Sequence, residues 1–355
     1  MSDTVLEEFA EVSISQILIA ALLIARIAAS IGARVGLVDR PDARKQHQGE
    51  VPLTGGIAVF VTFLFGTLVL GIEPYTYSML AIACGVFSVG VLEDVRHLRA
   101  STRLFIGFGS GALLATYGDI AITNVGNLLA MGDIPLLLLT VPLSALAVAG
   151  LSNAYNMIDG IDGLAASTIT LPLLVLYLLA LQADHPMANS TLLMLVPMGV
   201  FLMFNLGPDS KLFPKVFLGD AGSVTMGFLV TASLVYFSQG ENGLILPVTA
   251  LWLVTLPLMD MLATMLRRLR LGRNLMTADR SHLHHTLMKM GLGPWQTLLF
   301  LTVYAALCSV IGLLLEGIPE YLSLLCYFLL FCGHCLFVLK SEASGAIAGR
   351  NTSDP

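Results

Sequence analysis

Five short polar stretches carry most of the residues in this chain that could do chemistry. The first is Val38-Asp39-Arg40-Pro41, followed by Arg44-Lys45-Gln46-His47 and Pro52-Leu53-Thr54-Gly55-Gly56. The second is Leu92-Glu93-Asp94. The third runs from Asn153 to Gly163 and holds Asn156, Asp159 and Asp162. The fourth is Phe217-Leu218-Gly219-Asp220-Ala221-Gly222-Ser223. The fifth is Arg267-Arg268-Leu269-Arg270, then Asp279-Arg280-Ser281-His282-Leu283-His284-His285. Glu93, Asp94, Asn156, Asp159, Asp162 and Asp220 are hard oxygen donors. Mg2+ takes such donors, usually one or two carboxylates with water and substrate phosphate. Lys45, Arg267, Arg268, Arg270 and Arg280 suit phosphate oxygens. His282, His284 and His285 add donors when protonated or held in the right tautomer. Carboxylates, a divalent cation and a phosphate-binding rim together describe phosphoryl transfer.

Each stretch also has a plainer role to compete with. Asp159 and Asp162 share a face if helical, and a solvated loop would accommodate both. Gly160 and Gly163 beside them instead suggest close backbone approach to a ligand. Glu93-Asp94 alone is an ordinary charged helix end. Asp220, between two glycines at the start of a helix, could be a cap, although a helix start also favours anions. The arginines of the fifth stretch could be orientation signals only. Asp260 stands apart, inside an apolar run, where an acid is a functional candidate by default. His97, His185 and His334 are isolated and read as structural.

The elements that must position these residues follow from composition. Of 355 residues, 56% are hydrophobic and only 12% charged, and mean hydropathy is +0.84. That excludes a disordered chain and argues for a polytopic membrane protein, at about 20 apolar residues per crossing helix. No basic stripe with interleaved aromatics suggests nucleic acid. Eleven apolar segments are predicted as transmembrane helices, near 13–35, 54–72, 75–92, 102–117, 134–152, 164–182, 189–207, 221–238, 244–266, 295–316 and 320–340. The fourth is the weakest, being short and rich in glycine. With the N-terminus outside and the C-terminus cytoplasmic, the inside segments and adjoining helix ends hold every Lys and Arg except Arg26, while the outside segments hold none. This segregation supports both count and orientation, and it puts all five polar stretches on the cytoplasmic side. The chain reads as one all-α membrane domain over 1–355, with a flexible Gly/Ser-rich tail over 341–355. Acids without basic residues at the N-terminus are the reverse of a secretory signal. The five cysteines lie in apolar runs and read as packing residues.

Taken in order, these motifs resemble the polyprenyl-phosphate N-acetylhexosamine-1-phosphate transferases, and within them the bacterial undecaprenyl-phosphate N-acetylglucosamine branch. The likeness is carried by Gly36 to Asp39, Arg44 to His47, Asn153 to Leu164, Lys215 to Ser223, Pro257 to Met261 and Ser281 to His285. The resemblance implies an enzyme of the bacterial inner membrane, its site on the cytoplasmic face. It would join N-acetylglucosamine 1-phosphate from UDP-N-acetylglucosamine to undecaprenyl phosphate, releasing UMP and starting a lipid-linked surface glycan such as an O-antigen. Mg2+, or Mn2+, is the implied metal, and a homodimer is the implied assembly. By the same resemblance Asp220 and Asn156 match metal-site residues, and Asp159 and Asp162 match acids of nucleotide binding and catalysis. Asp94 matches an acid that accepts or positions a proton. Lys45, Arg268 and the histidines match groups around the diphosphate and sugar, and Asn153 and Arg280 are grouped with these as substrate-binding residues. The sequence departs from the family's paired aspartates at Glu93, which keeps the charge and reaches one methylene further. The related enzyme using UDP-N-acetylmuramoyl-pentapeptide has an unbroken histidine run; Leu283 interrupts it here, favouring the smaller donor. A transporter or flippase, with midplane sites in repeated halves, fits the one-sided polar stretches less well.

Overall fold

A computed structural model describes residues 3–40, 49–96, 98, 100–274 and 282–350. The chain folds into thirteen α-helices among the described residues, with one short β-ribbon. Helix α1 (Asp3–Val35) leads to the ribbon, in which β1 (Val38–Asp39) pairs antiparallel with β2 (Val51–Pro52), Val38 opposite Pro52. Then follow α2 (Gly55–Leu68), α3 (Tyr77–Arg96), α4 (Ala100–Tyr117), α5 (Thr140–Ile158), α6 (Leu164–Gln182), α7 (Ala188–Leu206) and α8 (Gly219–Ser238). The chain ends with α9 (Pro247–Leu253), α10 (Thr255–Arg270), α11 (Leu283–Lys289), α12 (Pro294–Leu314) and α13 (Glu320–Arg350).

Each of the eleven apolar segments falls on one helix or one helix pair. Eight helices are long and apolar enough to cross a membrane, or nine with α9 and α10 taken as one span. Helix α2 is shorter, and α4, the glycine-rich segment, is not among the eight. Helix α13 continues to Arg350, through the first part of the predicted flexible tail.

Helix α8 is the axis of the bundle: 89% of its apolar window is buried, against 28% for α1 and for α13. Its sequence explains why it tolerates the centre. Glycine at 56 and 222 lets α2 and α8 touch backbone to backbone, since a Cβ on Gly222 would lie 2.7 Å from the Gly56 Cα. Close approach through small residues is how membrane helices gain contact without a hydrophobic driving force between them. The hydroxyls of Thr231 and Ser233 return to carbonyls one turn back, at 2.7 and 2.8 Å, so they carry no unpaid desolvation. The peripheral helices show the opposite pattern. Leu299, Phe300, Val303, Leu307, Val310 and Leu314 line an exposed apolar side of α12, as a lipid-facing helix requires.

The ninth predicted segment is not one straight helix. Helices α9 and α10 meet at Val254 with a bend of 80°. Pro257 is the local reason. In a continuous helix its ring would press on the carbonyl of Leu253 and its missing N–H would leave that carbonyl unpaired. Helix α9 ends at Leu253, and Pro257 falls in the first turn of α10, where no N–H partner is needed.

Candidate active site

Among the described residues, the first, second and third polar stretches meet the fourth around the start of α8, and the fifth packs against Gly160 of the third. The Gly55 and Gly56 amides donate to the carbonyls of Phe217 and Leu218, both at 2.9 Å, joining the first stretch to the fourth. The second stretch supplies the helix cap. Asp94, from the end of α3, accepts from the Asp220 amide at 2.7 Å and from the Ala221 amide at 3.0 Å. Two orphan donors of the helix are thus satisfied by a carboxylate from another helix, where the helix dipole also favours negative charge. Gly219 makes this possible. Its φ is +73°, and a Cβ there would lie 2.8 Å from an Asp94 carboxylate oxygen. Gly90 brings α3 close, because a Cβ there would stand 2.6 Å from the Ala221 Cα.

With the cap supplied from outside, the Asp220 side chain is released from capping its own helix. Its carboxylate accepts instead from the Asn156 amide, which also donates to the Ser223 hydroxyl at 3.0 Å. Beside them Glu93, 4% exposed, accepts from Arg103 Nη1 at 3.0 Å, and the same nitrogen lies 3.9 Å from Asp220. Sequence reasoning missed Arg103. The signal was present: a lone cation at the head of an apolar segment, where charge is costly unless it has a partner.

The third stretch forms the opposite wall. Asp162 pairs with Lys215 at 2.5 Å, and Lys215 stands 5.7 Å over the Phe217 ring. Asp159 follows the last residue of α5. Loss of solvation beneath the surrounding loops, then the charges of Asp220, Asp162 and Asp94, push its carboxyl up to about 7. The residue keeps an exposed face, so solvent offsets part of the first cause and the neighbouring acids carry the rest. Asn153 is placed elsewhere, its amide against the sulfurs of Met157 at 3.1 Å and Met261 at 3.8 Å.

The fifth stretch reaches the site through Asp260. This intramembrane acid is 2% exposed. One oxygen meets His282 Nδ1 at 2.9 Å and the other accepts from the Leu283 amide at 2.8 Å. It therefore tethers the start of α11 to α10. Helix α11 carries His284, whose ring is 1% exposed and lies where a methyl on Gly160 would be. Burial and the neighbouring His285 hold the His284 ring down to about 3, with Asp260 opposing. It is neutral at physiological pH and offers one N–H and one lone pair, not a positive charge. Both its ring nitrogens are buried without a partner among the described residues. His285 lies beside it, ring centroids 4.1 Å apart, and Arg268 is buried near the end of α10. Lys45 and Arg280 lie outside the described residues.

No group of three or more His, Cys, Asp or Glu forms a metal cage among the described residues. The donor chemistry nevertheless suits a cation that keeps its water. Both oxygens of Asp94 are taken by amides, while Glu93 gives one oxygen to Arg103 and Asp162 one to Lys215. Asp220 gives one oxygen to the Asn156 amide, has a cation near it only at 3.9 Å, and lies close enough to Asp159 for the two charges to repel. One or two carboxylates with an amide oxygen are what Mg2+ needs when substrate phosphate completes its shell.

Comparison with known proteins agrees with this chemistry. Residues 76–238 match glycosyl transferase family 4. The chain is 35% identical over 317 residues to the undecaprenyl-phosphate alpha-N-acetylglucosaminyl 1-phosphate transferase of Escherichia coli K12, covering 87% of this chain and 86% of that one. It is 34% identical to the protein of the same name from Yersinia pestis, covering 87% of each. The Haemophilus influenzae protein is 32% identical over 306 residues, covering 84% of this chain and 85% of its own. The chain belongs to this glycosyl transferase family. The family 4 match encloses Glu93, Asp94, Arg103, Asn156, Asp159, Asp162 and Asp220, and ends before Asp260, His282, His284 and His285. The full-length relatives extend the likeness over most of the chain.

Proposed function

We propose that this chain transfers N-acetylglucosamine 1-phosphate from UDP-N-acetylglucosamine to undecaprenyl phosphate. An oxygen of the lipid phosphate attacks the β-phosphorus of the donor. The bond from that phosphorus to the bridging oxygen breaks, and UMP leaves with the oxygen and its electron pair. The observation that carries this reading is the gathering of the described residues of these polar stretches at one end of an apolar bundle, with Asp94 and Asn156 both bonded to the start of α8. A soluble diphosphate and a lipid headgroup can meet only at such an end.

The lipid phosphate has a second pKa of about 6 and is mostly dianionic near pH 7, so little proton transfer is required of the protein. The greater need is to hold two anions together. Asp220, Asn156 and Asp159 are the residues that would hold Mg2+, which would supply charge neutralisation for the diphosphate and the leaving UMP. Asp94 fixes Asp220 through the backbone amides it caps. Lys215 holds Asp162 in one orientation at the rim. Asp260 fixes His282, and neutral His284 offers its N–H beside Gly160. We further propose eleven crossings of a bacterial inner membrane, with the site on the cytoplasmic face, and a single membrane domain.

The test is UMP release by the purified protein in detergent, from UDP-N-acetylglucosamine and undecaprenyl phosphate, with Mg2+ or chelator. Release that needs lipid, donor and metal supports the reading. Release from a different UDP-N-acetylhexosamine, and none from this one, corrects the sugar. No release with any donor from folded protein overturns it.

A further inference from the structure

We propose that Arg103 is the resident counter-charge of the acidic end of the bundle, a positioning residue that keeps Glu93 away from the metal and weakens the site's hold on a divalent cation. The cation itself rests on the reading above; the pairing of Arg103 with the acids does not.

The geometry gives Arg103 this part. A single nitrogen, Nη1, serves both acids, at 3.0 Å from Glu93 and 3.9 Å from Asp220. The first distance is a charged hydrogen bond; the second is too long for one and acts through charge alone. Nε is buried without an acceptor among the described residues, so the guanidinium is held at one corner and not as a two-point fork. Both oxygens of Asp94 are taken by amides and Asp162 is taken by Lys215. Arg103 holds Glu93 through Oε1 alone, and without it both Glu93 oxygens would be open to a cation beside Asp220. A buried carboxylate with no partner either takes up a proton or finds a cation. The extra methylene of Glu93, relative to aspartate, is used in reaching the guanidinium.

Two consequences follow. A divalent ion at Asp220 has a fixed positive charge close by, which lowers its affinity and helps it leave with product. Loss of Arg103 also hands the ion a further ligand. At an effective dielectric near 20, like charges at about 5 Å change affinity by about tenfold or more.

The experiment is Mn2+ titration of the full-length protein in detergent without substrates, read by the free-ion electron spin resonance signal. Arg103→Gln is expected to bind Mn2+ about tenfold more tightly than wild type. Arg103→Lys should stay within about threefold of wild type, and so should the double variant Glu93→Gln with Arg103→Gln, which removes the freed carboxylate together with the cation. Unchanged or weaker Mn2+ binding in Arg103→Gln overturns the proposal by itself, and a raised KM for the UDP-sugar, where turnover is seen, would then point to a direct phosphate contact. Equal tightening in the single and double variants overturns it too, because Glu93 would then have no part. These readings stand even if no UDP-sugar is turned over. If wild type binds no Mn2+, the metal reading fails and melting temperature in chelator decides the pairing. Arg103→Gln melting below the double variant supports the counter-charge; equal melting overturns it.

Discussion

Asp220 and Asp94 are neighbours of opposite employment. One gives an oxygen to the Asn156 side chain, the other has both spent on the backbone of the helix that carries the first. Asp220→Ala should lower Mg2+-dependent UMP release by at least about a hundredfold, the scale lost when transition-state charge stabilisation is removed. Its melting temperature in chelator should hold or rise, since the variant removes a repelling charge. Asp159 gives a pH-linked expectation. Its folded value is raised above the value of about 4 expected when unfolded, by lost solvation and by the charges of Asp220, Asp162 and Asp94. Between those values the folded protein keeps a proton that the unfolded chain gives up, so stability falls as pH rises through the window and stays reduced above it. In chelator, Asp159→Asn should therefore melt above wild type, by a margin that widens from pH 5 to pH 8; a constant margin would refute the shift. Gly160→Ala should push on the buried His284 ring. A clash of this kind costs about 1–3 kcal/mol, and turnover should fall by more than the stability loss explains. Much of this scale was legible beforehand, because acids, amides and histidines announce themselves by type. The partners were not. Nothing in Glu93-Asp94 says that one acid faces an arginine ten residues on and the other a helix start 126 residues away in the chain.

The elements explain how residues so far apart in sequence become neighbours. Helix α8 is centred by its small residues and held by α3 through Gly90, Gly219 and the Asp94 cap. Helix α11 is too short to be stable alone and is fastened by Asp260. Asp260→Asn tests that tether. The asparagine oxygen can still accept from the Leu283 amide, but its NH2 must then face His282 Nδ1 and force the other tautomer. Melting temperature should change little while kcat falls by at least about tenfold, the logic by which an aspartate orients a histidine elsewhere. A parallel loss of both would reduce Asp260 to a structural anchor. Helix positions were readable from hydropathy because most of the eleven apolar runs were long, although α2 and α4 fall short of a full span. The break at Val254 was not read, although Pro257 stood in the run. Hydropathy averages over about 19 residues and does not register a missing N–H.

At the scale of the whole molecule, the polar end and the apolar flanks define a protein that meets water and lipid at one place. The proposed orientation puts Lys211 in the cytoplasm and Asp133 outside. In a cysteine-free background, a membrane-impermeant thiol reagent should label Asp133→Cys in intact cells, and Lys211→Cys only in inverted vesicles. The reverse pattern would invert the protein and separate the site from a cytoplasmic UDP-sugar. The bent pair α9–α10 also bears on how the chain is made. Seven residues of α9 extend only about 10 Å, a third of a bilayer core. The rest of the segment carries Asp260, costly to release into lipid from a helix leaving the translocon alone. What offsets that cost is supplied by later chain: Leu283 and His282 for Asp260, and α12 packed on α9. The ninth segment is therefore an assembly step and not an insertion step. A nascent chain stopped at Arg270 should hold eight helices in the bilayer with the ninth segment outside it, waiting for synthesis to reach α12 before the transferase end can close.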